Sequence, residues 1–198
     1  MFYTIMKILI VNLHSSRNAG DDVLTHVSTD LLEQYFPNAT IKLAMNDPLS
    51  YSGPYETVGS FMTWIKPAGY MTWRAIFSPV LILLAVLFGL GYRLFGQKLI
   101  FILAKQHHKL LEAYFEADLV ISSAGNFLYS SGRFGLAYIV AVYTLLYGWL
   151  LGKPVYTMPQ TIGPLTHRWE RTLLRWAIPK LRIVLVRDPI SKQLLKSL

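Results

Sequence analysis

At 198 residues the chain has the length of one domain, or of half a two-domain enzyme. With 53% hydrophobic and only 15% charged residues it cannot be intrinsically disordered or a coiled coil, and this balance raises the expectation of membrane contact, as does a mean hydropathy of +0.37. The absence of cysteine excludes a disulfide framework, a thiolate metal site and a cysteine nucleophile, leaving any metal to His, Asp or Glu, while a net charge of +8 favours phosphorylated ligands, an anionic membrane face or nucleic acid.

Residues 1–6 are too few and too weakly charged to read as a signal peptide, so a cytoplasmic location is expected. Lys7 to Asn12 is a continuous apolar run of the kind buried on both faces of a parallel sheet. From Asp21 the period becomes helical, with Val23, Val27, Leu31 and Tyr35 on one stripe, Asp21 and Asp22 at the N-terminus and Pro37 ending it. Thr40 to Ala44 reads as a second strand, and Asn46 to Gly69 as loop with short turns. Lys98 to Phe115 has helical periodicity, whereas Leu119–Ser122, Val155–Met158 and Ile183–Val186 read as three more buried strands separated by helix-sized segments. This alternation implies right-handed βαβ crossovers and an α/β, doubly wound, Rossmann-like parallel sheet over residues 1–198.

Two stretches approach the length of a bilayer span. Ala75 to Tyr92 carries no charge between Arg74 and Arg93, and Phe134 to Gly152 none between Arg133 and Lys153. The second falls between two strands and reads as a crossover helix against the sheet. The first, part of an apolar insertion at about residues 70–96, reads either as a buried or hairpin helix or as a helix dipping into the membrane interface beside a basic flank; a full span would separate the strands on either side of it. Nucleic-acid binding is excluded as an expectation, because the basic residues are interleaved with apolar helix faces and no recognition motif is present.

In such a sheet the ligand crevice lies beyond the carboxyl ends of the strands. The loop after the first strand carries Asn18, Gly20 and Asp21 at a helix start, suited to an anion or a sugar, or simply to capping. Small residues follow the third strand, with Gly125 and Asn126 in a tight turn. The fourth leads to Gln160, Thr161, Ile162, Gly163 and Pro164, a restricted loop with a side-chain amide. The last leads to Arg187 and Asp188, where the guanidinium offers a planar fork to phosphate or carboxylate.

Taken in order, Asn18-Ala19-Gly20-Asp21, Ala117-Asp118-Leu119-Val120-Ile121 with the turn through Leu128, Lys153-Pro154-Val155 with Gln160 to Pro164, and Val186-Arg187-Asp188 with Ser191 and Leu194 resemble the polysaccharide pyruvyl transferases. The resemblance implies transfer of a pyruvyl group from phosphoenolpyruvate, as donor substrate and without a cofactor or metal, to a sugar of a cell-wall or exopolysaccharide precursor as a ketal. It implies a fold similar to one half of the two-Rossmann-domain (GT-B) glycosyltransferases, with Asp21 as base and Asn18, Gly20, Gly125, Asn126, Gln160, Gly163 and Arg187 binding substrate. Ala124-Gly125-Asn126 departs from the family's run of glycines. The chain also stops at Leu198, about halfway along the expected family length, so a second domain or partner subunit, carrying the family's later Arg and His region, is expected to be required for activity. The partners implied are a glycan or lipid-linked sugar acceptor and phosphoenolpyruvate, at the inner face of the membrane. The alternatives are half of a sugar-nucleotide glycosyltransferase, or a non-catalytic remnant binding a membrane or a partner.

Overall fold

The computed structural model describes residues 5–66, 76–96, 103–130 and 135–198. Strand β1 (Lys7–Leu13) is followed by α1 (Ala19–Tyr35), β2 (Thr40–Met45), a 3-10 turn at Pro48–Ser50, β3 (Glu56–Gly59) and the short helix α2 (Phe61–Ile65). Then come α3 (Ser78–Phe95), α4 (Lys105–Glu116), β4 (Leu119–Ser122), β5 (Gly125–Leu128), α5 (Leu136–Leu150), β6 (Val155–Ile162), α6 (Arg168–Ala177), β7 (Ile183–Val186) and α7 (Pro189–Ser197).

Every strand pairing is parallel, and the order runs β3-β2-β1-β4-β6, with β5 and β7 also on β6. Tyr156 and Thr157 of β6 pair with both β4 and β7, and Gln160 pairs with both Gly125 of β5 and Val186 of β7. Strand β5 therefore continues the line of β4 along one side of β6, while β7 occupies the other. The winding changes direction between β1 and β4, which puts the topological switch point, and hence the crevice, at their carboxyl ends. The fold is the doubly wound Rossmann-like sheet that the strand and helix alternation implies.

Successive residues of β1 serve opposite faces, as a period of two requires. Leu9 and Val11 join Val120, Val155 and Ile162 under α4, α5 and α6, whereas Ile8 and Ile10 join Ile41, Leu43 and Ile121 under α1. Helix α5 sits in the first layer; Gly148 lies against Val120 and Val155, so a β-carbon there would press into the sheet at 3.0–3.2 Å. Leu136–Leu150 of this apolar stretch is thus a buried crossover helix, as its place between strands suggested.

Several local expectations are corrected. The segment from Asn46 to Gly69 holds a strand, β3, and α2 besides turns, because β2 offers β3 a full parallel register from Lys42↔Glu56 to Met45↔Gly59. Helix α1 begins at Ala19, not Asp21, capped by Asn18, whose side chain accepts from Gly20 N at 3.0 Å. Its stripe of Val23, Val27, Leu31 and Tyr35 faces solvent, while Thr25, Ser28, Thr29 and Leu32 are buried against the sheet. The hydroxyls of Thr25, Ser28 and Thr29 bond back to carbonyls one turn earlier, at 2.9, 2.6 and 3.2 Å, so these small residues bury without an unmet donor and let the helix lie close to the sheet. The small-residue turn after β4 becomes strand β5, and β6 runs on to Ile162. Residues 67–75, shared between the Asn46 to Gly69 segment and the insertion, and 98–102 lie outside the described residues, as does Phe134; within the Lys98 to Phe115 stretch the helix begins only at Lys105, after an extended Ala104.

Candidate functional site

The carboxyl edge carries an open cleft of about 420 Å³ lined by Asn18, Gly20, Asp21, Gly125, Asn126 and Arg187, together with His14, Leu24, Phe127 and Tyr129. Its volume is in the range of sites that take a small ligand. A smaller recess beside it shares His14, Asn126, Phe127 and Tyr129 and reaches down to Asn12. Six of the eight residues singled out in the sequence therefore line one cleft. Gln160 and Gly163 do not line it.

Gln160 is fully buried. Its amide nitrogen donates to Ser122 Oγ at 2.6 Å and to Ser123 O at 2.7 Å, and Asn12 Nδ2 donates to the same Ser122 hydroxyl at 3.1 Å. Three neighbouring strands, β1, β4 and β6, are thus joined by side chains directly beneath the cleft. Asn12 is the one non-glycine residue among those described with positive φ, at 57°, and it sits where the β1–β2 register shifts between Ile10 and Leu13. Asn tolerates this left-handed conformation better than most residues, and here the turn aims its amide at β4. Gly163, with φ 90°, leads away from β6; its N–H bonds Leu128 O at 2.8 Å, and a β-carbon would strike Leu194 of α7 at 2.9 Å.

One wall is the start of α1. The loop before it is fastened to the β2 side by Ser15 Oγ donating to Asp47 at 3.0 Å, by the Arg17–Asp47 ion pair at 3.3 Å, and by Ser16 N donating to Ser50 Oγ at 2.9 Å. Asn18 spends its carbonyl oxygen on the cap. The Asp21 carboxylate makes no hydrogen bond or ion pair to any described residue. Two carboxylates in the first turn offset the positive end of the helix dipole, so this wall suits a hydroxyl better than an anion.

The opposing charge comes from Arg187. Its Nε donates to Thr161 Oγ1, and no ion pair forms with Asp188 among the described residues, which leaves both terminal nitrogens of the guanidinium for a ligand. Asp188 instead caps α7, accepting from Ser191 Oγ at 2.7 Å and Ser191 N at 2.8 Å. Those two hydrogen bonds, with smaller help from Thr161 and Arg187, hold its pKa below the usual carboxylate value.

His14 supplies a further donor. Ser60 Oγ, itself accepting from Met62 N at 3.1 Å, donates to Asn46 Oδ1 at 2.6 Å and so turns the Asn46 amide nitrogen toward His14 Nδ1, at 2.9 Å. The ring nitrogen accepts, placing the imidazole proton on Nε2. The ring stacks on Phe127 with centroids 4.8 Å apart. Sequence reasoning assigns no site role to Asn12, His14, Ser122 or Tyr129; the signal available for His14 was its place in the loop after β1. The other histidines lie elsewhere: His26 is 3.7 Å from Asp22, His167 caps α6, and His107 is buried edge-on to Trp64, where burial and the neighbouring His108 lower its pKa. Among the described residues no group of three or more His, Asp or Glu is placed to hold a metal ion.

Comparison with curated proteins and with solved structures gives no match. The family model for polysaccharide pyruvyl transferase matches residues 18–198, a span that contains both fixed charges of the cleft, Asp21 and Arg187, and the β4 and β6 parts of its floor; the chain belongs to the polysaccharide pyruvyl transferase family.

Proposed function

We propose that this protein forms the acceptor side of a pyruvyl transferase that moves a pyruvyl group from phosphoenolpyruvate onto two hydroxyls of one sugar in a cell-wall or exopolysaccharide precursor. The observation that carries the reading is a single cleft, most of whose lining falls in the family span, holding a carboxylate and a guanidinium that form no ion pair with any described residue.

In ketal formation the two hydroxyl oxygens bond to the central carbon of the donor and the phosphate ester bond breaks. One hydroxyl proton ends on the methylene carbon, which becomes a methyl group, and the other leaves with inorganic phosphate. The chemistry needs a base near the hydroxyls, a cation to hold phosphate or carboxylate, and a proton donor. Asp21 fits the first role and Arg187 the second, with Asn126 and Asn18 supplying amide groups to sugar oxygens. His14 Nε2–H and the Tyr129 hydroxyl are donors in the same cleft. An open edge of this kind needs a second body to exclude water, and a second Rossmann domain or partner subunit in a GT-B-type arrangement would close it and bring the remaining donor-binding groups.

The test is twofold. The purified chain alone is expected to release no phosphate from phosphoenolpyruvate above an Arg187→Ala control. In NMR titrations, phosphoenolpyruvate is expected to shift resonances around Arg187, weakened about tenfold or more by Arg187→Ala, while methyl glycosides shift those around Asp21 and respond to Asp21→Asn. Turnover by the chain alone would refute the need for a second body to close the cleft. Binding indifferent to both substitutions would refute the assignment of the cleft.

A further inference from the structure

We propose that α3 seats the protein on an anionic membrane, lying in the plane of the interface with one face in the lipid. Among the described residues α3 is the one helix long and apolar enough to cross a bilayer, with mean hydropathy 1.9, yet only 17% of it is buried. Its single charge is Arg93. At about 100° per residue, Val80, Leu83, Leu87, Leu90 and Leu94, with Ile76 just before the helix, fall within an arc of about 80°. All six are exposed, by 38% to 75%.

The opposite face is fastened along its length. Tyr147 Oη donates to Ala85 O at 3.1 Å and Tyr143 Oη to Ile82 O at 3.4 Å, Tyr92 Oη donates to Phe115 O at 3.0 Å, and Arg93 Nη1 donates to Leu150 O at 3.2 Å. Gly89 allows the closest approach, since a β-carbon there would meet Tyr147 and Leu150 at 3.2 Å. Contacts that advance together along α3 and α5 mean that the two helices run side by side. Because α5 is packed on the sheet, α3 cannot leave this position to span a bilayer while the domain stays folded.

The rim identifies the partner. At the C-terminal end of α3, Arg93 lies over the Trp149 ring at 5.9 Å, Trp149 meets Trp176 edge-on at 6.5 Å, and Lys180 Nζ lies 3.9 Å from the centre of the Trp176 ring. Arg171 and Arg175 stand exposed on the adjoining α6, whose one acidic residue, Glu170, is buried. A smooth apolar stripe bordered by tryptophan and cations, with no exposed carboxylate on either helix, matches the headgroup level of a membrane carrying negative lipid. A protein partner fits it less well, since the stripe offers no polar group to fix a register.

The experiment is flotation of the full chain with phosphatidylcholine vesicles, with and without phosphatidylglycerol, at low and high salt. Wild type is expected to float with the anionic vesicles, less so as salt rises, and brominated acyl chains should quench its tryptophan emission. Leu83→Glu with Leu87→Glu puts charges at exposed positions, so the fold, checked by circular dichroism, should persist while partition falls about tenfold or more. Arg171→Ala with Arg175→Ala should weaken binding and flatten its salt dependence. No flotation, equal flotation with neutral vesicles, or binding unchanged by the two glutamates would each overturn the proposal. So would a dimer in vesicle-free solution that the two glutamates dissolve.

Discussion

Asp188 holds α7 through a side chain whose charged form is favoured by the Ser191 hydroxyl and N–H. Its pKa is lower folded than unfolded, so its contribution is fully present above the unfolded value of about 4 and is lost as pH falls through the folded value. Asp188→Asn keeps a capping oxygen but cannot titrate. Acid-unfolding curves of this variant should therefore be flatter than wild type below about pH 4, with little change at neutral pH. At Gly125 the constraint is spatial: φ is 148°, and a β-carbon would sit 2.7 Å from the Phe127 ring. Gly125→Ala is expected to cost about 1–3 kcal/mol in urea unfolding and to move the His14 ring resonances, because the phenyl ring that must shift is the one His14 stacks on. Asn18, Gly20, Asp21, Gly125, Asn126 and Arg187 were legible because each follows a strand and every strand runs the same way, which gathers loop residues at one edge. Gln160 looked like a loop residue because Pro159 and Gly163 surround it. Yet β6 runs through it, pairing Gln160 with Gly125 and Val186, and buries its amide.

At the scale of elements, α1 shows how a correct helix can be assigned the wrong buried face. Apolar periodicity points to Val23, Val27 and Leu31, but the side that meets the sheet needs small residues for close approach, and serine and threonine meet that need by returning their hydroxyls to the helix itself. Ser28→Leu, at a fully buried position, should destabilise by about 1–3 kcal/mol through overpacking, whereas Val27→Thr, half exposed, should stay within about 0.5 kcal/mol; thermal or urea unfolding of the pair decides which face is inside. The bounds of Leu119–Ser122 and Ile183–Val186 were legible to the residue, because continuous branched apolar residues between polar loops leave little choice, but the second run is not the buried strand expected: at the sheet edge Ile183 and Leu185 stay half exposed. Strand β3, with only Val58 buried among its four residues, carries no such signal; it exists because β2 presents a free edge beside it.

For the molecule as a whole, the two faces of the sheet are unequally covered. Helices α4, α5 and α6 clothe one face, whereas among the described residues α1 alone covers the other, and Tyr156, Met158, Ile183 and Leu185 line an open apolar hollow of about 520 Å³ together with Ile121 and Phe36. The native chain is therefore expected to enhance the fluorescence of an anilinonaphthalene dye, and Leu185→Lys, a half-exposed position, to reduce it without loss of folding. The crevice side behaves oppositely. Because one hydroxyl, Ser122 Oγ, receives amides from both Asn12 and Gln160, the carboxyl ends of three strands are riveted at a single atom, and the Ser123 N–H is held to Val11 O at 3.0 Å just above it. Such a plate does not flex when a ligand presses on it, so any closing movement has to come from the rims, residues 14–18 and 126–130. In hydrogen exchange the Ser123 amide should rank among the slowest of the chain with or without ligand, while protection of the rims rises on binding.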